Sequence, residues 1–178
     1  MLDLDWRCLL ELHDPVGIIG EMKLIKVAIH RLSKHGVGKK IGYVRIYDSA
    51  EGLVFDPQIF LLPPGVHGFH IHEFPDLTPK NGKPAGNAGQ HFDPQNTKQH
   101  LGPYRSGHLG DLPRLWVNER GEAKIGVVAP RLRLADVLGR SLIIHEGGDN
   151  YSDFPLKDGG GKLRIAGGII TSDCPYCE

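Results

Sequence analysis

Apolar and polar residues alternate with a period of two in several short stretches of the chain. Ile25, Val27 and Ile29 share one face in the first stretch, and Val44 and Ile46 share one in the second. This alternation is typical of β-strands with one buried face. The same pattern, or a short apolar run, predicts further strands at 53–60, 66–74, 114–118, 122–129, 141–145 and 163–170. The chain is therefore expected to form short antiparallel strands.

Turn-forming residues separate these predicted strands. Asp48–Gly52 ends in glycine and joins the second and third strands, and Asn118–Gly121 joins two later ones. The second turn predicts a hairpin in which Ala123, Ile125 and Val127 lie on one face.

Two long segments, 73–112 and 146–162, lack any regular pattern. A compact domain rarely contains about 40 residues without secondary structure unless something organises them. A bound ion would do so, because its ligand bonds replace the missing apolar contacts. With 24 glycines, 13 prolines and no repeat, the chain fits a turn-rich all-β fold. We predict an eight-stranded antiparallel Greek-key β-barrel or sandwich, immunoglobulin-like, with two long loops.

Composition narrows the class of protein. The 178 residues are 40% hydrophobic and 24% charged, which fits one globular domain. The formal net charge is zero, so no bulk field favours a nucleic acid or an anionic membrane. No apolar run reaches the roughly 18 residues of a membrane span. We therefore predict neither a nucleic-acid partner nor a membrane partner.

All three cysteines lie near the ends of the chain, so no disulfide can tie its middle together. This suits a reducing compartment, and the first residues do not resemble a secretory signal. We expect a cytoplasmic protein, with a periplasmic or secreted location as the alternative. The pattern predicts an N-terminal extension at 1–21, a domain at 22–170 and a tail at 171–178 that carries Cys174 and Cys177.

Histidines point to a metal site. His70 and His72 are two residues apart in a predicted strand, so their rings project from the same face. Together with His145 they form an all-imidazole set that suits copper.

A second candidate set suits zinc. His91, His100, His108 and Asp111 supply three imidazoles and a carboxylate, which complete a tetrahedral Zn²⁺ site. Two sites thus compete for the histidines of one region. The remaining candidates for ordinary surface or core histidines are His13, His30 and His35.

Six segments resemble, in order, the signature blocks of copper/zinc superoxide dismutases: GFHIHEF, AGQHFDP, KQHLGP, GHLGDLP, IIHEGGDN and RIAGGII. Further phrases, such as FDPQNT and GGDNYSD, are most similar to the bacterial branch. The resemblance covers about 22–170. That family has a sandwich fold and nearly diffusion-limited catalysis, which are known properties of these enzymes and not predictions from this chain.

The resemblance implies one copper and one zinc ion per chain. The family's copper ligands correspond to His70, His72, His91 and His145. Its zinc ligands correspond to His91, His100, His108 and Asp111. His91 would bridge both ions through its two ring nitrogens.

Other residues receive roles from the same resemblance. Asp149 would link a copper-site histidine to a zinc-site histidine and fix both rings. Arg164 would attract and position superoxide, and His67 would be structural rather than a ligand. One superoxide would give an electron to the copper and leave as dioxygen, and a second would take that electron and two protons and leave as hydrogen peroxide. His91 would carry a proton in this cycle.

The chain departs from the family at its disulfide. Most members join the loop after the HxH strand to the final strand, but residues 72–91 contain no cysteine and Gly167 stands at the final-strand position. A native disulfide contributes about 2–4 kcal/mol. We therefore expect metal-free protein to lose more thermal stability than disulfide-bearing relatives do.

Three functions compete. We expect an active dismutase whose substrate is superoxide, with a homodimer as a possible assembly. A catalytically silent metal-binding relative, serving storage or delivery, is the alternative, and the Cys174–Cys177 pair could capture Cu(I) or have no role. A purely structural module fits least. The sequence leaves open whether Lys157 and Lys162 point at the copper.

Overall fold

The computed structural model describes residues 23–172. Within this range nine strands form: β1 (Leu24–Ser33), β2 (Gly36–Asp48), β3 (Leu53–Ile59), β4 (Gly65–His67), β5 (Phe69–His72), β6 (Leu115–Val117), β7 (Val127–Ala129), β8 (Arg140–His145) and β9 (Arg164–Ile170). One helical turn, α1 (Leu134–Val137), precedes β8, and short 3₁₀ turns lie at Gly86–Ala88 and Lys157–Gly160.

The strands form an antiparallel all-β fold, as predicted. Seven of them make one sheet in the order β5-β8-β9-β1-β2-β3-β7, and β4 pairs with β6 in a second sheet. The neighbours β5–β8, β9–β1 and β3–β7 are distant in sequence, which is the crossover pattern of Greek-key folds. One strand more than predicted arises because the stretch around Gly68 divides into β4 and β5.

One predicted hairpin is wrong. The turn at Asn118–Gly121 does form, but β6 pairs with β4 and β7 pairs with β3. The chain leaves β6 and runs along the free edge of β3, where Ala123 pairs with Ile59. Ile125 is 56% exposed, so Ala123, Ile125 and Val127 do not share a buried face.

The predicted alternation places the core correctly. Val27, Ile29, Val44 and Ile46 are all buried. They belong to one large apolar cluster in which the rings of Phe55 and Phe69 meet edge to face, with 5.7 Å between centroids. This core forms a rigid base for the strands that carry the histidines.

No helix among residues 23–172 is long and apolar enough to cross a membrane. The predicted extension at 1–21, and Cys174 and Cys177 of the predicted tail, lie outside the described residues. The proposed boundaries of extension, domain and tail therefore stay predictions.

Candidate metal centre

Strand β5 organises the centre. His70 and His72 lie on this buried strand, and two residues of the long loop pair with its backbone as isolated bridges. Asp111 lies opposite His70, and His91 lies opposite His72. The strand therefore places four predicted ligands side by side, although two of them come from an irregular loop.

Gly110 permits this close pairing. Its neighbours hold it by hydrogen bonds in which Ile71 N donates to Gly110 O and Gly110 N donates to Phe92 O, both at 2.8 Å. A Cβ atom at Gly110 would lie 2.4 Å from Ile71 O. Any side chain here would push the loop, and Asp111 with it, away from β5.

The end of β8 brings in the downstream residues. His145 is the last residue of β8, and its N–H donates to Gly68 O at 2.9 Å. Arg164, the first residue of β9, lies directly opposite His145 across the strand pair. The sheet thus carries the arginine to the same edge as the histidines.

The remaining loop histidines are held by backbone contacts. The amide of His100 donates to Asp153 Oδ2 at 2.9 Å, which ties the two long loops together. Arg131 donates to the carbonyls of Gly107 and His108 at 2.9 and 3.2 Å. The backbone of both histidines is thereby held without regular secondary structure.

All seven predicted ligands converge in one buried cluster. We call His70, His72, His91 and His145 the all-histidine half, and their ligand atoms lie within 4.8 Å of one another. We call His91, His100, His108 and Asp111 the carboxylate half. Two compact groups among residues 23–172 share residues with it, and neither contains all four: His70, His91, His100 and Asp111, and His91, His108 and Asp158.

In the all-histidine half, hydrogen bonds direct lone pairs inward. His72 Nδ1 donates to Gly89 O at 3.1 Å, so its Nε2 carries the lone pair. That Nε2 lies 3.4 Å from Nε2 of His145. Two nitrogens bound tetrahedrally to one ion at about 2.0–2.1 Å lie at about this separation.

In the carboxylate half, Asp111 is the centre. Its oxygens lie 2.9 Å from His91 Nδ1, 2.9 Å from His100 Nδ1 and 3.5 Å from His108 Nδ1. Three Nδ1 atoms thus surround one carboxylate. Since His91 presents Nδ1 to this half, its Nε2 is left for the other half.

Asp149 joins the two halves. Its oxygens accept hydrogen bonds from His70 Nε2 at 2.8 Å and from His100 Nε2 at 2.7 Å. Each bond fixes a tautomer and leaves the opposite ring nitrogen, Nδ1, as a ligand atom. The Tyr151 amide donates to the same carboxylate at 2.7 Å and steadies it.

The pKa values of the histidines shift in opposite directions in the two halves. Burial and the neighbouring histidines lower the pKa of His72 and His145 well below the ordinary value, and Arg164 adds to this. Burial and His70 lower the pKa of His91 to about 3. These rings are therefore neutral, which is the form that binds metal.

The carboxylate half behaves in the opposite way. Burial acts to lower the pKa of His100, but hydrogen bonds to Asp111 and Asp149 raise it to about 10. The pKa of His108 is also raised, since contact with Asp111 outweighs its burial. Burial acts to raise the pKa of Asp111, yet its three histidine contacts hold that pKa far below the usual range.

Several buried polar atoms fit bound ions. Within residues 23–172, His70 Nδ1 and His108 Nδ1 are buried without a hydrogen-bond partner, and the buried His100 Nδ1 and Asp111 Oδ2 have only each other, at 2.9 Å. Buried polar atoms are rarely left unpaired. These atoms belong to the predicted ligands and face the cluster, so the donor set fits imidazole and carboxylate ligation of copper and zinc.

A small cavity of about 100 Å³ opens onto the cluster. Lys157 and Lys162, whose direction the sequence left open, both line it, as does Arg164. Sequence reasoning did not single out Lys83 and did not place Asp158 there, although both line the cavity. No pattern in the sequence marks them, since the irregular loops alone bring them in.

The other histidines lie elsewhere. Both ring nitrogens of His67 approach backbone carbonyls, His145 O at 2.7 Å and Pro63 O at 2.8 Å. His67 therefore supports the backbone that carries His145. His30 contacts Gly38 O at 3.1 Å, and His35 is exposed. His13 lies outside the described residues.

Comparisons with known proteins place the chain among relatives of one family. A sequence model of the family described as copper/zinc superoxide dismutase matches residues 40–170. The superoxide dismutase [Cu-Zn] of Escherichia coli K12 is 49% identical over 150 residues, which are 82% of this chain and 87% of that one. The solved Cu/Zn superoxide dismutase of Brucella abortus superposes with a TM-score of 0.80 at 47% identity, covering 83% of this chain and 99% of that one. The monomeric copper, zinc superoxide dismutase of Salmonella enterica gives a TM-score of 0.75 at 48% identity with the same coverage.

Proposed function

The chain belongs to the copper/zinc superoxide dismutase family and is a superoxide dismutase, and we propose that its two halves divide the metal ions. Copper would be held by the all-histidine half and zinc by the carboxylate half, with His91 shared. The observation that carries this proposal is the orientation of His91, whose Nδ1 lies 2.9 Å from Asp111 while its ring lies among His70, His72 and His145.

The ligand types match the two ions. Copper supplies the change of redox state on which disproportionation of superoxide depends, whereas zinc keeps a single state. The low pKa of His91 keeps its ring neutral and ready to bind. Asp149 holds His70 and His100 at fixed angles, so a shift in one half is transmitted to the other.

Arg164 is proposed to bind the superoxide anion. Its guanidinium is buried, lines the cavity and donates to Ala85 O and Gly89 O, each at 2.5 Å. A fixed positive charge beside the all-histidine half would draw in a small anion and orient it. Lys157 and Lys162 line the same cavity and add to the positive field.

Anomalous diffraction from metal-loaded crystals tests the division of ligands. Data at the copper and zinc edges should place copper against His70, His72 and His145, and zinc against His100, His108 and Asp111. His91 should lie between the two peaks. Zinc bound by His70 in place of His108, or by Asp158 in place of Asp111, would contradict the proposal, since both alternatives form compact groups.

Replacing Arg164 tests the anion site. Arg164→Ala should lower kcat/KM roughly tenfold or more, because a fixed charge steers a small anion, and should leave the metal content unchanged. Arg164→Lys keeps the charge but loses one of the two carbonyl contacts, so its kcat/KM should lie between that of the parent protein and that of Arg164→Ala. An unchanged rate in Arg164→Ala would show that another group captures superoxide.

Finer predictions concern assembly and location. We propose a homodimer that works in the cytoplasm, with a periplasmic or secreted enzyme as the alternative. Analytical ultracentrifugation and cell fractionation test the two points separately. A monomer at micromolar concentration, which is the state described for the Salmonella enterica protein, would reject the dimer.

A further inference from the structure

A second apolar cluster lies apart from the main core. It joins Leu32 of β1 and Ile143 of β8 to Leu77, Ala85 and Ala88 of the loop that follows β5. All five side chains are buried, with Leu32 the most exposed at 8%. We call these five residues the loop anchor. Most residues between Thr78 and Lys83 are exposed, and the buried side chains of Leu77 and Ala85 on either side of this segment pack in the cluster.

We propose that the loop anchor positions Arg164 and His72 by holding the backbone of this loop against the sheet. This inference rests on the proposed role of Arg164 in binding superoxide. Leu77 is then a positioning residue, because it acts through the loop and contacts neither the anion nor a ligand.

Two carbonyls of the loop carry the effect. Arg164 Nη1 donates to Ala85 O and Nη2 donates to Gly89 O. Gly89 O also accepts the hydrogen bond from His72 Nδ1 at 3.1 Å. Because one carbonyl holds both the guanidinium and a ligand ring, a displaced loop would move both.

Around Gly89, neighbouring side chains fix the loop sterically. Gly89 has a positive φ of 80°, and a Cβ there would lie 2.4 Å from Glu73 Oε2 and 2.8 Å from the Phe74 ring. The same carboxylate accepts a hydrogen bond from Gln90 N at 2.7 Å, and Phe74 N donates to Ala88 O at 3.0 Å. Around Ala85 the loop anchor holds the loop, since the Ala85 side chain belongs to this cluster.

Two side chains of the loop anchor pack against Gly167. This glycine of β9 lies between β8 and β1, paired with Ile143 and His30. A Cβ at Gly167 would lie 2.9 Å from Ile143 Cδ1 and 3.2 Å from Leu32 Cδ1. Gly167 stands where the family has a cysteine, and the apolar side chains of Ile143 and Leu32 occupy the space that a side chain at this position would need.

The consequence is an anion site that does not depend on thiol oxidation. None of the three cysteines lies within residues 23–172, so no disulfide holds this loop. Apolar packing does so instead, and it is unaffected by reductants.

The test compares Leu77→Ala with Leu134→Ala in metal-loaded protein. Leu134 is a buried leucine of similar exposure, 4% against 6%, in the main core away from this loop. Azide is the probe of the anion site, and its dissociation constant is read from the change in copper absorption. Amide hydrogen exchange of residues 76–90 reports on docking of the loop in the same samples.

We expect Leu77→Ala to speed exchange at 76–90, weaken azide binding and lower kcat/KM, the last two roughly tenfold, because misplacing a binding group by about 1 Å costs up to a hundredfold. Leu77→Met should restore all three. Leu134→Ala should leave azide binding unchanged, and in zinc-loaded, copper-free parent protein a reducing agent should leave amide exchange at 76–90 unchanged.

The results separate the inference from the proposal beneath it. If Leu77→Ala speeds exchange without weakening azide binding, while Arg164→Ala does weaken it, the loop anchor does not position the arginine. If Arg164→Ala leaves azide binding unchanged, the proposed anion site itself is wrong. Equal loss of azide affinity in Leu134→Ala would show a general effect of lower stability and would also overturn the inference.

Discussion

The two halves of the metal centre share His91 but differ in the charges around their imidazoles. Asp111 lies within 3.5 Å of Nδ1 of three histidines in the carboxylate half, whereas burial, the neighbouring histidines and Arg164 lower the pKa of both His72 and His145 in the other half. The carboxylate half thus holds an anionic ligand, which favours a dication, and the all-histidine half lies beside a fixed positive charge, which favours an incoming anion. The difference supports the proposed division of the two ions between the halves.

The largest effect is expected from Asp111→Asn. Loss of this carboxylate should reduce zinc affinity by more than the roughly 10–100-fold typical of an outer hydrogen-bond partner, because Asp111 is proposed as a direct ligand. Copper affinity should change less. Competition with a chelator measures both. Asp158→Asn is the matched control. If only Asp158→Asn loses zinc affinity, then Asp158, and not Asp111, is the zinc ligand.

A smaller and more even effect is expected from Asp149→Asn. This carboxylate hydrogen-bonds one ring in each half, so the affinities for copper and zinc should both fall, by roughly 10–100-fold. Chelator competition on the same protein measures the two constants. A loss confined to one metal would show that the halves are not coupled through Asp149.

Metal removal should show which elements hold the loops. If each ion is present at about 1,000 times its dissociation constant, each contributes about 4 kcal/mol and the two together about 8 kcal/mol, so chelation should lower Tm by roughly 16–32 °C. Disulfide-bearing relatives should lose less. An unchanged Tm after verified metal removal would mean that packing alone, including the loop anchor, holds the loops.

The smallest effect concerns pH in the metal-free protein. His72, His91 and His145 have folded pKa values below 6.5, so the unfolded chain takes up their protons first and stability falls as pH drops below about 6.5. His100 has a folded pKa of about 10, so its contribution is complete below 6.5 and is lost as pH rises from 6.5 towards 10.

Thermal melting across pH 4–10 should therefore peak near 6.5 in metal-free protein. His100→Gln should flatten the alkaline side, and His145→Gln should flatten the acid side. A stability curve that rises steadily through pH 10 would contradict the opposed electrostatics of the two halves.

Much of the fold and of the centre could be predicted from the sequence. Alternation identified Val27, Ile29, Val44 and Ile46 as core, because a strand must bury one face whichever strand it pairs with. The ligand types and the spacing of His70 and His72 identified the cluster, because the side chains themselves carry the chemistry.

Strand pairing beyond neighbouring strands could not be predicted. The segment after Asn118–Gly121 pairs with the edge of β3 and not with β6, and this pairing depends on which strand edge is free in the folded sheet. The carbonyls of Ala85 and Gly89 were also missed, since every residue has a carbonyl and only the folded loop aims these two at Arg164.

The most direct measurement combines metal content with superoxide consumption in one preparation. Elemental analysis should give one copper and one zinc per chain, and stopped-flow kinetics should show superoxide consumed at a rate approaching the diffusion limit of about 10⁹ M⁻¹s⁻¹. Full occupancy by both metals without dismutation would contradict the account and identify the chain as a silent metal-binding relative.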